Sequence, residues 1–298
     1  MRDRIAESAL RVAALSAVGV LALIALFIVG EGAPVLAARG PGAFLASATW
    51  APTRGEYGLL AMLAGSAVVT LGALALAVPL GIACAVTLAE LAPPTARAVL
   101  KPLVELLAGI PSVVYGFLGM ALVVPVIRTQ LGGPGPSALA ASVVLAVMVL
   151  PTLVSVAVDA IEAVPRSYRD GARALGATEW QSIAGVVLPA ARSGLAAAVI
   201  LGIGRAVGET MAVIMVAGNA AQLPDSPLAP VRTLTANVAL EMAYATGEHA
   251  QALFATAIVL FVLVLALNAV AGLVRRPARA RRRRGAAPAA PSTAAEPA

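Results

Sequence analysis

One cysteine, one histidine and one lysine occur in 298 residues, and each scarcity removes a class of chemistry. Cys84 alone cannot build an internal disulfide framework. Cys84 and His249 together cannot supply the several ligands of a zinc-type centre, so no metal site is expected in this chain. The lone lysine, Lys101, follows Leu100, so a phosphate-cradling G-x-x-x-x-G-K-[ST] loop cannot be present. No catalytic residues and no resident cofactor are expected. An intramembrane enzyme would need a catalytic dyad or metal ligands, for which this inventory leaves little. Charged residues make up only 12% of the chain against 60% hydrophobic, where a soluble domain carries about 25% charged. The composition is that of an integral membrane protein.

A spanning helix needs roughly 20 apolar residues, and six segments qualify: about 12–30, 58–89, 103–127, 137–158, 194–217 and 250–274. The fold class is an all-α membrane protein of about six transmembrane helices. Glu105 stands at the edge of the third segment, where Pro111, with Ser112 and Tyr115 beside it, frees a backbone carbonyl. Pro111 then makes either a fixed kink or a pathway lining. Pro79 offers a similar kink in the long second segment. The first segment is longer than a signal-peptide core and no small-x-small site follows it at once, so it reads as an uncleaved helix.

Six spans sort the basic residues unequally. Arg2, Arg4, Arg11, Arg97, Lys101, Arg166, Arg169, Arg173, Arg192 and the seven arginines from Arg275 to Arg284 fall on one side. Arg39, Arg54, Arg128 and Arg232 fall on the other. Both termini are therefore expected in the cytoplasm, in a cell (inner or plasma) membrane. Residues 1–11 form a cytoplasmic N-terminus, 12–274 the membrane domain, and 275–298 a basic, then Ala/Pro-rich, disordered tail. The net charge of +6 is concentrated in that tail. It suits topology or contact with anionic lipid, and nucleic-acid binding is not expected. The outer loop 31–57, with Phe44 and Trp50, is either a membrane-surface segment or a plain connection. His249, near the outer end of the last span, reads as incidental.

Arg205 and Glu209 stand four residues apart in Gly204-Arg205-Ala206-Val207-Gly208-Glu209-Thr210. In a continuous helix they share one face. Each charge costs about 2.5–3.5 kcal/mol at bilayer depth on insertion scales. The pair therefore either fixes helix packing as a buried ion pair or handles something polar that crosses. Gly204 and Gly208 form a Gly-x-x-x-Gly ridge that lets helices approach closely, within the chain or against a partner.

The loop 159–191 promises a short helix over Arg166 to Leu175, a stop at Gly176, and a second helix capped by Thr178. Pro189 would mark entry to the fifth span. Asp170-Gly171-Ala172, Gly176 and Val186-Val187-Leu188-Pro189 resemble the EAA loop of ABC-importer permeases. Asp170 and Gly171 stand where that family usually has Glu and Ala, and Val186 where it has Ile. The segments Glu105 to Gly116 and Gly204 to Val213, with Leu91-Ala92-Pro93, the Trp50 region and Gly218-Asn219, are similar to phosphate-specific permeases of the PstC type.

The resemblance implies a type I ABC-importer permease that moves inorganic phosphate inward. Its partners would be a second, PstA-like permease subunit, an ATPase dimer that binds the ATP, an extracytoplasmic phosphate-binding protein and membrane lipid. Arg205 and Glu209 would serve the substrate pathway. Asp170, Gly171, Ala172, Gly176, Glu179, Trp180, Leu188 and Pro189 would form the coupling loop, with Trp180 either an anchor in an ATPase groove or an interfacial tryptophan. The PstA-like role, or another oxyanion such as molybdate or sulfate, remains the alternative. A stand-alone secondary transporter would show an inverted repeat, and none is evident.

Overall fold

A computed structural model describes residues 2–274, so the basic and Ala/Pro-rich tail expectation for 275–298 lies outside the described residues. Six helical segments are long and apolar enough to cross a membrane: Ala6–Arg39, Leu60–Leu91, Ser112–Gly132, Ala138–Glu162, Glu179–Gly208 and Glu248–Val270. The helices in chain order are α1 (Arg2–Arg39), α2 (Pro41–Ala46), α3 (Leu60–Val86), α4 (Pro94–Ala108), α5 (Ser112–Leu118), the single turn α6 (Val124–Val126) and α7 (Ala138–Glu162). They continue as α8 (Arg166–Ala174), α9 (Glu179–Ser182), α10 (Leu188–Gly208), α11 (Met211–Val216), α12 (Leu234–Glu241) and α13 (Glu248–Val274). A two-residue hairpin pairs β1 (Trp50–Ala51) with β2 (Glu56–Tyr57).

The bundle is organised around α7, whose apolar window is 67% buried, whereas that of the first span is 0% buried. α7 packs against α3 and α10, and α1 packs against α13. In a membrane there is little hydrophobic drive between helices, so close approach through small residues does the packing. α3 supplies them at every fourth position: Ala61, Gly65, Val69, Ala73, Ala77, Gly81 and Ala85 are all buried. A Cβ on Gly81 would collide with Leu153 of α7, and the Ser142 hydroxyl on α7 donates to Val69 O at 3.3 Å. α1, by contrast, exposes Leu10, Leu15, Leu21, Leu26 and Phe27. Apolar side chains all around a peripheral helix suit lipid.

Three spans differ from their sequence expectation. The first runs on to Arg39 instead of ending near Gly30. The third begins at Ser112, not near Leu103. The residue before a proline is driven out of the α region, and the chain breaks at Gly109-Ile110-Pro111, so Pro111 is the N-cap of α5 instead of a kink within a helix. Glu105 therefore belongs to α4, a separate helix with no buried residue. The Tyr115 hydroxyl bridges the break by donating to Leu107 O at 2.7 Å, one of the carbonyls that α4 leaves free. The fifth span, conversely, begins early, because helix runs without interruption from Glu179 to Gly208. Pro189 lacks an N–H and would normally end a helix there. A wide turn at Ile183–Val187 absorbs it, so the helix passes through Leu188-Pro189 without a break and Pro189 stands in the first turn of α10.

At the hairpin end, Phe44 and Trp50 are buried with Tyr57, Leu59, Met62 and Leu253. Residues 31–39, expected in this loop, continue α1, and residues 40–57 are a packed cap on α3 and α13, not a segment lying on the bilayer surface. The other end carries Arg97, Lys101, Arg166, Arg169, Arg173 and Arg192 and is termed the basic end below.

Candidate functional site

Depth follows from packing. Gly202 of α10 faces Val149, its Cβ position 3.1 Å from that side chain, and Val149 is near the midpoint of α7. Arg205 lies three residues further, about 4.5 Å along the axis. That keeps it within an apolar layer of about 30 Å. Arg205 is exposed on the surface of the chain, and no ion pair or side-chain hydrogen bond to it occurs among the described residues. It lies within electrostatic range of the Tyr115 hydroxyl, beside the Pro111 break.

Arg205 and Glu209 do not share a helix face. α10 ends at Gly208, and Glu209 is extended, with φ −71° and ψ 134°. The Glu209 carboxylate turns the other way and accepts from Ala212 N at 3.1 Å, capping α11. The Glu209 carbonyl accepts from the Thr235 hydroxyl at 2.9 Å, which ties the break to α12. Helix propensity was overridden here by a local cap that satisfies otherwise free N–H groups at membrane depth. Gly204 and Gly208 both face open space: a Cβ at either meets nothing within 4 Å. Among the described residues, the Gly-x-x-x-Gly ridge therefore packs against no other helix.

At the basic end, the loop forms the helix–turn–helix that its residues foretold. α8 stops at Gly176, whose φ of +84° suits glycine. Thr178 caps α9 in a reciprocal box: its hydroxyl accepts from Gln181 N at 3.3 Å, and Gln181 Oε1 accepts from Thr178 N at 2.9 Å. Asp170 and Gly171 are exposed, Ala172 is buried beneath them, and Glu179 reaches Arg173 at 3.3 Å. Trp180 is 63% exposed, and Tyr168 and Leu175 are exposed at 52% and 91%.

Two clusters escaped the sequence. The first is Arg169, which sequence reading left to topology. Its Nε donates to both oxygens of Glu90, at 3.1 and 3.0 Å, and its terminal nitrogens reach Val164 O at 2.7 Å and Ile161 O at 3.0 Å. This staples α8 to the foot of α3 and the end of α7. Hydrogen bonding to Glu90, despite burial, holds the guanidinium pKa above its ordinary value. A lone glutamate ending a long apolar run was the available signal.

The second is Glu241, at the hairpin end. It accepts from Trp50 Nε1 at 2.8 Å and Arg232 at 2.5 Å, and it meets His249 Nε2 at 2.8 Å. His249, which looked incidental, is part of this centre and stacks on Tyr57. Burial opposes ionisation of Glu241, but the hydrogen bonds from Trp50, His249 and Arg232 outweigh it and hold the carboxyl below its ordinary value. Among the described residues, no group of three or more His, Cys, Asp or Glu side chains could hold a metal ion.

Comparison with known proteins agrees with this architecture. Residues 77–280 match the family described as binding-protein-dependent transport system inner membrane component. A probable ABC transporter permease protein, YqgH, of Bacillus subtilis is 48% identical over 206 residues, 68% of this chain and 67% of that protein. The phosphate transport system permease protein PstC of Mesorhizobium japonicum is 36% identical over 249 residues, 76% of each chain. Among solved structures, an inward-facing MetNI methionine ABC transporter aligns with a TM-score of 0.54 at 22% identity, covering 74% of this chain and 93% of that one. The last likeness speaks for the fold alone. With six membrane-crossing helices around α7 and a matched family model over most of its length, the chain belongs to the inner membrane components of binding-protein-dependent transport systems, which are transport subunits and not enzymes.

Proposed function

We propose that the chain is the PstC-type permease subunit of an ATP-driven importer of inorganic phosphate. One observation carries the reading: Arg205 stands exposed at membrane depth, without a partner among the described residues and flanked by the bare ridge of Gly204 and Gly208. An arginine facing lipid costs about 2.5–3.5 kcal/mol even on permissive scales. That surface must therefore be covered by a polar or wet neighbour. A second, PstA-like permease subunit packed on the glycine ridge supplies the cover, and phosphate passes along the seam between the two. The planar guanidinium offers forked donors that suit phosphate oxygens. Because Glu209 is occupied as a cap, its carboxylate does not compete with the anion for the guanidinium donors of Arg205. The likeness to PstC proteins supports phosphate as the cargo.

The exposed Tyr168, Leu175 and Trp180 of α8 and α9 are apolar anchors for a separate ATPase dimer, which binds the ATP. Asp170, Gly171, Ala172, Gly176 and Glu179 shape that knob. The asymmetry of sixteen basic residues against four supports a cytoplasmic basic end and cytoplasmic termini. An extracytoplasmic phosphate-binding protein then delivers to the hairpin end. Closure of the ATPase dimer moves the knob, and the α3–α7–α10 bundle follows as a rigid body.

The test is ATP-dependent uptake of radiolabelled phosphate into proteoliposomes that hold the whole complex and binding protein, with unlabelled phosphate, sulfate and molybdate as competitors. Suppression by phosphate alone, with loss of uptake in Arg205→Ala, is the expected result. Suppression by sulfate or molybdate reassigns the cargo. Normal uptake by an assembled Arg205→Ala complex removes Arg205 from the pathway.

A further inference from the structure

Arg166, Arg169, Asp170 and Arg173 recur at the spacing that places them on one face of α8. That face, with Arg97 of α4 and the foot of α3, surrounds a cavity of about 460 Å³, within the usual range for small-ligand sites. Its charges are unequally committed. Arg169 is spent on Glu90 and two carbonyls, and Arg97 is paired with Glu162. Arg166 makes no ion pair among the described residues. Arg173 reaches only Glu179, at 3.3 Å, with both side chains more than half exposed, and such a pair is worth little. Two guanidinium groups with free donors therefore face the cavity against a single uncommitted carboxylate, Asp170.

We propose that this pocket binds a tetrahedral oxyanion, either free inorganic phosphate or the phosphate of an anionic lipid headgroup, held by Arg166 and Arg173 with Arg97 at the rim. Forked guanidinium donors match such an oxyanion. The surrounding pairs Arg169–Glu90 and Arg97–Glu162 fix the walls. Asp170 repels the ligand and keeps binding weak and reversible. An anion there joins α8 to α4. The site is separate from Arg205 and does not depend on the substrate pathway.

The assembled complex, free of nucleotide and carrying Arg205→Ala to silence the pathway, is placed in phosphatidylcholine nanodiscs and titrated with radiolabelled phosphate. Saturable binding is expected, weakened at least tenfold by Arg166→Gln/Arg173→Gln and several-fold by Arg166→Gln alone, which breaks no ion pair. Asp170→Asn should tighten it several-fold. This gain keeps the test decisive if the double variant assembles poorly. In a parallel arm the complex is purified from membranes containing phosphatidylglycerol and its retained lipid is counted by mass spectrometry. Phosphatidylglycerol that is retained by the wild type and lost from the double variant also supports the site and assigns the lipid source. Phosphate and lipid binding that ignore all three substitutions, or no binding of either, overturns the proposal. Failure of phosphate uptake in the transport assay bears on the cargo and leaves this binding result intact.

Discussion

Glu209 separates two arrangements of the membrane charges. Its carboxylate accepts from Ala212 N at 3.1 Å and forms no ion pair with Arg205. Glu209→Gln keeps an acceptor oxygen at the same reach and removes the charge; Glu209→Ala removes both. A helix cap is worth about 0.5–2 kcal/mol, and α11 has only six residues, so a lost cap leaves a large share of its N–H groups without a partner. The expected cost is about 1 kcal/mol for Glu209→Ala and under about 0.5 kcal/mol for Glu209→Gln. A buried Arg205–Glu209 ion pair would instead make both substitutions cost about 3–5 kcal/mol, because each would strand the arginine. The assay is unfolding of the complex in nanodiscs over a double-mutant cycle of Arg205→Ala and Glu209→Gln. Without direct contact the coupling energy should stay under about 0.5 kcal/mol. A coupling above about 1.5 kcal/mol, or a Gln variant as damaged as the Ala variant, refutes the cap.

Breaking the α8 staple should be costly in a different way. Arg169→Ala leaves Glu90, whose side chain is only 10% exposed, without its cation; about 3 kcal/mol is lost, and ATP hydrolysis by the complex should continue while uptake falls. Gly208→Leu meets no neighbour within the chain and gains helix propensity, so this chain alone should fold within about 1 kcal/mol of the wild type, yet co-purification of the second subunit should collapse. A fully assembled Gly208→Leu complex would move the seam elsewhere. The depressed carboxyl of Glu241 stabilises the folded state above its ordinary value of 4.5, and this contribution is lost as pH falls through the lower folded value. Melting temperatures measured from about pH 7 down to about pH 3 should fall less steeply in Glu241→Gln than in the wild type, although the variant is less stable at neutral pH.

Much of this was readable in the residues because membrane physics leaves few options. A spanning segment must satisfy its backbone internally, so six apolar runs became six spans, and Gly176 and Thr178 set the turn between α8 and α9 through local chemistry alone. Boundaries failed where proline acted through context. Pro111 ended one helix and began another, whereas Pro189 was absorbed by a wide turn; the residues themselves do not say which. The Arg205–Glu209 spacing predicted a shared face that a side-chain cap, three residues ahead at Ala212, overruled. The Glu241 centre was illegible for a simpler reason: its partner Trp50 is 191 residues away, and no local pattern announces a contact of that range.

These parts form one connected piece. Trp50 of the hairpin donates to Glu241, and Arg232 bridges Glu241 to Asn237 at 3.0 Å and to Asn219 O at 2.8 Å. The next residue, Thr233, is hydrogen-bonded to Thr235 at 3.1 Å, and Thr235 holds the Glu209 carbonyl. Glu209 in turn fixes the start of α11 beside Arg205. Covalent steps and hydrogen bonds thus run unbroken from the hairpin to the break that follows Arg205. At the other end Arg169 binds α8 to α3 and α7, the helices against which α10 packs. The chain therefore holds α10 along its length: its C-terminal end through a polar chain and its body through small-residue packing. The break after Gly208, beside Arg205 in sequence, is thus tied to the hairpin by hydrogen bonds, while the body of α10 is tied to the basic end through α7.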